Sequence, residues 1–195
     1  MPRVSQQELI IGAKQGKVIS FPTDTVPALA ALPNYASLVF AAKKRAPDKP
    51  LILMGSSPQA IWKYVQGTPE EFRIWEKVVE EHWPGQLTLV LPASKLVPKA
   101  MNPLDPSTIG VRIPNSIIAQ NILKQTNCLA TTSANLSGEP PIENMREIAV
   151  NFPDVLVLDE EPLKNQKKYG SGLPSTVARW TDKGWEILRQ GSIKL

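Results

Sequence analysis

Histidine and cysteine are almost absent from this chain of 195 residues, which contains one of each, His82 and Cys128. A structural zinc site takes about four Cys or His ligands, so the sequence excludes one. No disulfide can form within the chain, which fits a reducing compartment. A histidine-dependent nucleophilic mechanism would have only His82 to use. We interpret His82 as a helix-end or surface residue and Cys128 as a buried strand thiol.

Long hydrophobic runs and a signal sequence are also missing. No stretch approaches about 18 apolar residues, and the first eight residues (MPRVSQQE) contain no apolar signal-peptide core. A cytoplasmic protein is therefore expected. The 22 Lys and Arg residues against 18 Asp and Glu give a net charge of +4. This balance permits nucleic-acid or nucleotide partners without demonstrating them.

Standard nucleotide-binding motifs are missing as well. Residues 12–17 (GAKQGK) resemble a P-loop, but they space the glycines too closely and lack the Ser or Thr that holds magnesium. They also precede a predicted strand, so we interpret them as the end of a helix. No G-x-G-x-x-G motif occurs, which argues against a Rossmann dinucleotide site.

Helical and extended segments alternate along the chain, which predicts one mixed α/β (α+β) domain over residues 1–195. Capping boxes at residues 5–8 (SQQE) and 68–71 (TPEE) predict that helices begin there. A helix predicted from residue 34 towards 45 has Leu38, Ala41 and Ala42 on its apolar side. Two more helices are predicted near residues 115 and 143, and strands at 18–21, 51–54, 87–91, 109–113, 128–131, 155–158 and 185–189.

Residues 160–174 form a long stretch with three lysines and no predicted element. About fifteen residues is longer than most connections within a domain. Two interpretations stand, a lid or binding loop and a solvated basic loop.

Polar residues are concentrated where the predicted elements end. Small hydroxyl and amide side chains at such places can hold phosphate or ribose without adding charge. Taken singly, each segment also fits an ordinary turn or helix end. The segments are PTDT (22–25), KKR (43–45), TTSANLSG (131–138), PSTV (174–177) and RQG (189–191).

In their order along the chain, these segments resemble the YrdC/Sua family, and most of all its short TsaC-type threonylcarbamoyl-AMP synthases. The motifs that carry the resemblance are FPTDTV (21–26), KKR (43–45), WPGQLT (83–88), TIGVRIP (108–114), TSANLSG (132–138), PSTV (174–177) and LRQG (188–191). The resemblance implies a single YrdC-like domain, with a twisted, mostly mixed sheet flanked by helices and a basic concave face.

The resemblance also implies a reaction. L-threonine, bicarbonate or CO2, and ATP would give L-threonylcarbamoyl-AMP and pyrophosphate, with Mg²⁺ carried by ATP and no tightly bound cofactor. A tRNA threonylcarbamoyltransferase complex would then modify ANN-decoding tRNAs, and tRNA or double-stranded RNA could bind the basic face. Adenylation depends mainly on positioning and charge neutralisation, which suits a chain with little histidine.

Roles are carried over from the family pattern residue by residue. Lys43 and Arg45 match its K-x-R motif and are expected to neutralise the triphosphate. No residue is an obvious general base, and no metal ligand is implied from the protein. The implied ATP-binding residues are Lys43, Arg45, Thr108, Ser133, Asn135 and Arg189. The implied threonine-binding residues are Thr23, Arg112 and Ser175.

The chain departs from the family pattern at several positions. Pro27 and Ala28 stand where an aromatic residue and glycine usually follow P-T-[DE]-T-V. Gln86 replaces the last proline of P-G-P, and Met54 stands where many Sua-type members have histidine. A YciO-like paralogue that binds RNA or nucleotide without synthase activity is the alternative. The intact K-x-R and S-x-N motifs favour the synthase over it. A carbamoyl-transfer domain with another acceptor is a third alternative, which is less favoured because such domains usually belong to much longer chains.

Overall fold

The computed structural model describes residues 3–44, 46, 48–159 and 170–195. Six α-helices lie in these ranges: α1 (Gln6–Lys14), α2 (Ala36–Lys43), α3 (Pro58–Trp62), α4 (Pro69–His82), α5 (Ile117–Thr126) and α6 (Met145–Asn151). The strands are β1 (Arg3–Val4), β2 (Ile19–Phe21), β3 (Ala28–Ala31), β4 (Ile52–Met54), β5 (Leu87–Pro92), β6 (Thr108–Arg112), β7 (Leu129–Ser133), β8 (Leu156–Leu158), β9 (Thr176–Thr181) and β10 (Gly184–Arg189). Within these ranges, no helix is both long and apolar enough to cross a membrane.

The ten strands form one mixed sheet in the order β1-β8-β2-β3-β7-β4-β6-β5-β9-β10. Four neighbouring pairs are parallel (β1–β8, β2–β8, β4–β6 and β5–β9), and the other five are antiparallel. A mixed sheet with flanking helices confirms the predicted fold class. The central strand β7 pairs with β3 on one side and β4 on the other, so its polar end meets both.

Most of the predicted elements are present. Both capping boxes form, because the hydroxyls of Ser5 and Thr68 accept the amides of Glu8 and Glu71. The 12–17 segment is the end of α1, as predicted. The sequence analysis did not identify β1, β3, β9 or α3. Strand β3 has the sequence ALAA, without β-branched or aromatic residues, and its strand conformation depends on pairing with β2 and β7.

The predicted apolar side of α2 (Leu38, Ala41, Ala42) is wrong at Leu38 and Ala41, which are exposed, whereas Ala42 is half-buried against the core. Leu38 is 43% exposed, and the buried face consists of Ala36, Val39 and Lys43. These residues face β3 and β7, on which α2 packs. A pattern of apolar residues could not indicate this face, because a lysine occupies one of its three buried positions.

His82 and Cys128 lie where the sequence analysis expected them. His82 is the last residue of α4. Cys128 is buried directly before β7, with its Sγ 3.6 Å from the carbonyl oxygen of Ala60. Burial raises the pKa of the Cys128 thiol to about 11. Residues 160–169 of the predicted basic loop lie outside the described residues.

The thiol of Cys128 is expected to react slowly in the folded protein. A pKa about two units above that of a free thiol leaves roughly a hundredfold less thiolate at pH 8. Alkylation by iodoacetamide should therefore be about a hundredfold slower in the native protein than in the urea-unfolded chain. Equal rates in the two states would contradict the buried thiol.

The raised pKa of Cys128 also predicts a direction for stability against pH. The unfolded thiol ionises near pH 8.5, whereas the folded thiol stays neutral until about pH 11. The unfolded chain loses its proton first, so the free energy of unfolding should decline between these values as pH rises. Urea unfolding of the wild type and of Cys128→Ala should show a steeper decline for the wild type. Parallel curves would contradict this linkage.

Candidate active site

A cavity of about 310 Å³ opens beside the middle of the sheet, where β3, β4, β6 and β7 all contribute lining residues. Register places Ala28 opposite Ser133, Ile52 opposite Thr131 and Met54 opposite Arg112, and side chains of all three pairs line the cavity. Six of the nine predicted site residues line this cavity: Lys43, Arg112, Ser133, Asn135, Ser175 and Arg189. We call it the central cavity.

Lys43 is buried at one end of the central cavity, with 1% of its surface exposed. Its Nζ donates to the carbonyl oxygen of Ser133 (2.5 Å), to Ser133 Oγ (3.1 Å) and to Asn135 Oδ1 (2.7 Å). A buried ammonium group is tolerated only when such acceptors replace water. The amine therefore links the end of α2 to the end of β7, two segments that are about ninety residues apart in the chain.

Asn135 organises the polar loop that follows β7. Its Oδ1 accepts both Lys43 Nζ and the hydroxyl of Ser133, at 2.7 and 2.6 Å. Its Nδ2 donates to the carbonyl oxygens of Leu136 (2.8 Å) and Glu139 (2.6 Å). One amide side chain thus fixes the loop's curvature and orients the serine hydroxyl beside the amine.

Arg112 forms the opposite wall of the central cavity at the end of β6. Its Nε donates to the carbonyl oxygen of Gly85 (3.0 Å), its Nη1 to Thr25 Oγ1 (2.8 Å), and its Nη2 to Asp24 Oδ1 (2.7 Å). Burial lowers the pKa of the guanidinium, and the charge of Asp24 opposes that effect. Because a guanidinium has five N–H donors, these contacts leave two for a ligand.

Arg189 and Ser175 form a third wall. Arg189 donates through Nε (3.0 Å) and Nη2 (2.8 Å) to the carbonyl oxygen of Ser175, and burial lowers the pKa of its guanidinium. Ser175 Oγ shares a hydrogen bond of 2.8 Å with Thr88 Oγ1. Residues that are fourteen positions apart in sequence thereby form one rigid edge.

Thr108 lines a second cavity, of about 350 Å³, next to the first. Pro50, Ile52 and Arg189 line both cavities. The hydroxyl of Thr108 accepts Asn102 Nδ2 at 3.1 Å. The two cavities therefore meet at Arg189, so an elongated ligand could occupy both.

Thr23 does not line the central cavity. Its hydroxyl donates to the carbonyl oxygen of Val26 (2.7 Å) and lies 3.0 Å from Thr25 Oγ1, so it holds the turn together. Thr25, two residues later, is the threonine that lines the cavity and contacts Arg112. Arg45 lies outside the described residues.

The sequence analysis missed the roles of Asp24 and Thr25. Both lie within the PTDT segment, but their partner Arg112 is nearly ninety residues away. A single sequence carries no signal for that pairing.

The charges around the central cavity favour an anionic ligand. Four cationic side chains line it (Lys43, Lys49, Arg112 and Arg189), and the described lining includes no carboxylate. Asp24 contacts Arg112 from behind the wall. No cluster of three His, Cys, Asp or Glu side chains occurs in the described ranges. The donors in the cavity are hydroxyl, amide and cationic groups, which suit a polyphosphate better than a bare metal ion.

A family model described as "Telomere recombination" and named for Sua5, YciO and YrdC matches residues 13–191. The chain belongs to the Sua5/YciO/YrdC family. The threonylcarbamoyl-AMP synthase of Pyrococcus abyssi is 32% identical over 201 residues, which cover 99% of this chain and 56% of that protein. The chain thus spans little more than half the length of this relative.

Another relative in the Sua5/YciO/YrdC family is similar in length to this chain. The threonylcarbamoyl-AMP synthase of Vibrio parahaemolyticus is 30% identical over 192 residues, which cover 95% of this chain and 98% of that protein. The length of the archaeal relative is therefore not shared by all proteins of that name.

Two solved structures share the fold of this chain. P. abyssi Sua5 complexed with L-threonine has a TM-score of 0.80 and 29% identity, covering 98% of this chain and 56% of that chain. Escherichia coli YciO has a TM-score of 0.78 and 22% identity, and the match covers 99% of this chain and 94% of that chain. At that identity, the likeness to YciO concerns the fold alone.

The Asp24–Arg112 ion pair is expected to contribute strongly to stability. Asp24→Asn keeps the shape of the side chain but leaves a buried guanidinium without its counter-charge, so the free energy of unfolding should fall by about 3 kcal/mol. Urea unfolding at pH 7 would measure the change. The control is Glu81→Gln, because the Glu81 side chain is 77% exposed beside His82, and it should cost less than about 0.5 kcal/mol. Equal losses in the two variants would contradict the prediction.

Proposed function

We propose that this protein is an ATP-dependent L-threonylcarbamoyladenylate synthase. It would join L-threonine, bicarbonate or CO2, and ATP to give L-threonylcarbamoyl-AMP and pyrophosphate. The observation that carries the proposal is the central cavity, where Lys43, Arg112 and Arg189 are held by neutral oxygens and by one carboxylate, Asp24, that does not line the cavity. Membership of the Sua5/YciO/YrdC family and the names of its relatives support the same reaction.

The triphosphate of ATP is assigned to the end of the cavity that contains Lys43. Phosphate oxygens there would replace Asn135 Oδ1 as the acceptor of Lys43 Nζ and of the Ser133 hydroxyl, both of which donate to it in this structure. Arg45 is predicted to contact the same phosphates. Mg²⁺ would arrive with ATP as part of the substrate, so the protein needs no tightly bound metal or other cofactor.

The nucleoside is assigned to the second cavity, where Thr108 offers a hydroxyl. Arg189 lines both cavities and would lie near the α-phosphate, whose phosphorus is the atom at which the new bond forms. A positive charge at that place stabilises the charge that develops as pyrophosphate leaves.

The amino acid is assigned to the wall formed by Arg112, Thr25 and Ser175. The two N–H groups of Arg112 that the described contacts leave unused match a carboxylate in geometry and charge. Thr23 contributes by fixing Thr25. Pro27, Ala28 and Met54 also line the cavity and belong to its apolar part.

The reaction follows from this arrangement. The threonine amine adds to CO2 and loses a proton to solvent, which gives a carbamate whose oxygen attacks the α-phosphorus of ATP. A P–O bond forms to the carbamate as the bond to pyrophosphate breaks. The chain's residues orient the two substrates and neutralise charge, which requires no histidine base.

We also propose the partners that this product requires. A tRNA threonylcarbamoyltransferase complex in the cytoplasm would consume it, with the adenosine of ANN-decoding tRNAs as acceptor. Residues 1–195 would act as one YrdC-like domain, whose basic concave face could contact tRNA or double-stranded RNA.

The first test is pyrophosphate release from ATP. Release is expected only when L-threonine and bicarbonate are both present, and L-serine serves as the control amino acid. Binding of ATP without release under these conditions would contradict the synthase and leave the nucleotide- or RNA-binding alternative.

The assignment of the triphosphate predicts the effect of two substitutions. Lys43→Met keeps the length of the side chain but removes its charge, and Ser133→Ala removes one hydroxyl. Each should lower kcat/KM for ATP by about a hundredfold, because donors that face developing charge contribute on this scale. Lys124→Met on the exposed face of α5 is the matched control and should stay within about twofold of wild type. A Lys43→Met enzyme that retains wild-type kcat/KM would contradict the assignment.

A further inference from the structure

Gln86 lies outside the central cavity and directly precedes β5. Its side chain lines a third cavity, of about 670 Å³, together with Thr23, Asp24 and Ser171. The turn at residues 23–25 separates this cavity from the central one. A substrate in the central cavity would therefore not touch Gln86, which stands where the family pattern has proline.

The amide of Gln86 connects three separate segments. Its Nε2 donates to the carbonyl oxygen of Asp24 at 2.9 Å. Its Oε1 accepts the hydroxyl of Ser192 at 2.6 Å and that of Ser171 at 3.4 Å. Its own carbonyl oxygen accepts the amide of Thr176 at 3.0 Å. Each segment continues into a wall of the central cavity: Asp24 into Thr25, Ser192 into Arg189, and Ser171 and Thr176 into Ser175.

Backbone hydrogen bonds dock residues 170–175 on the turn at 23–25. The amides of Ser171 and Gly172 donate to the carbonyl oxygens of Asp24 (3.1 Å) and Thr25 (2.9 Å). Gly170 has φ of 73°, and a Cβ there would overlap the carbonyl oxygens of Thr23 and Thr25. The contact is close enough that only glycine fits, so small displacements of either segment would change it.

We propose that Gln86 is a positioning residue for the amino-acid end of the active site. Its side chain fixes residues 170–175 against the 23–25 turn and thereby sets the distance between Thr25 and Ser175, both of which line the central cavity. This inference rests on the proposed function for the identity of the substrate. The contacts of Gln86 do not reach Lys43, so the triphosphate end should be independent of it.

Steady-state kinetics of Gln86→Ala would test the proposal. Loss of the three side-chain hydrogen bonds at this junction should raise KM for L-threonine about three- to tenfold. The value of kcat and KM for ATP should change by less than about twofold. Gln86→Glu should behave like Gln86→Ala, because its carboxylate oxygen would face the carbonyl oxygen of Asp24.

Two further variants separate this role from a general loss of stability. Ser192→Ala removes one of the contacts and should raise KM for L-threonine by only about twofold. Gln125→Ala is the control for loss of a glutamine, since Gln125 donates only within α5 and is exposed. It should leave all constants unchanged.

Amide hydrogen exchange of the full chain gives a readout that does not depend on turnover. In Gln86→Ala, the amides of Ser171 and Gly172 should exchange about three- to tenfold faster than in wild type. Amides at the Lys43 end should be unaffected.

Several outcomes would overturn the proposal. Unchanged amide exchange at Ser171 and Gly172 in Gln86→Ala would refute the claim that Gln86 fixes residues 170–175. Faster exchange with an unchanged KM for L-threonine would refute the claim that this contact positions the amino-acid end of the site. Equal changes in the constants for ATP and L-threonine would indicate a structural role alone. If the wild type releases no pyrophosphate, the proposed function fails. Exchange then decides separately whether Gln86 fixes residues 170–175.

Discussion

The burial of the Lys43 ammonium group is the interaction on which the arrangement of the active site depends. A charged amine with 1% exposure requires acceptors, and Ser133 and Asn135 at the end of β7 provide them. This requirement fixes the end of α2 relative to the central strand of the sheet. Asn135 then shapes the loop that follows. The contacts that make the buried charge tolerable also hold three polar side chains at one end of the cavity, those of Lys43, Ser133 and Asn135.

Arg112 is also a buried charge, at the other end of the cavity, but a counter-charge stabilises it in addition to neutral acceptors. Its charge is balanced by Asp24, which stands behind the cavity wall, so the pairing leaves part of the guanidinium facing the cavity. Burial lowers the pKa of the guanidinium, and a bound anion would relieve part of that cost. The two ends together offer separate positions for two anionic groups. Their spacing is maintained by strand register rather than by side-chain contact between them.

Residues on the far side of the 23–25 turn also determine the cavity's shape. Thr23 holds the turn from within, and Gln86 joins it to residues 170–175 and to Ser192. The chain departs from the family pattern both here and inside the cavity, at Pro27, Ala28 and Met54. Changes on the two sides of one turn act on the same distance, between Thr25 and Ser175. If the proposed function holds, selectivity for the amino acid would therefore depend on more than the residues that touch it.

The sequence by itself determined the local structure and the residue types of the site. The capping boxes at Ser5 and Thr68 specify their helices through short-range hydrogen bonds, and the ordered motifs identify most of the cavity-lining residues. Tertiary structure decided the rest. Strand β3 forms because both of its edges are paired. Helix α2 can bury a lysine because Ser133 and Asn135 provide hydrogen-bond acceptors for it. Asp24 pairs with Arg112, a residue nearly ninety positions away. Such contacts follow from the packing of distant segments, which no local pattern encodes.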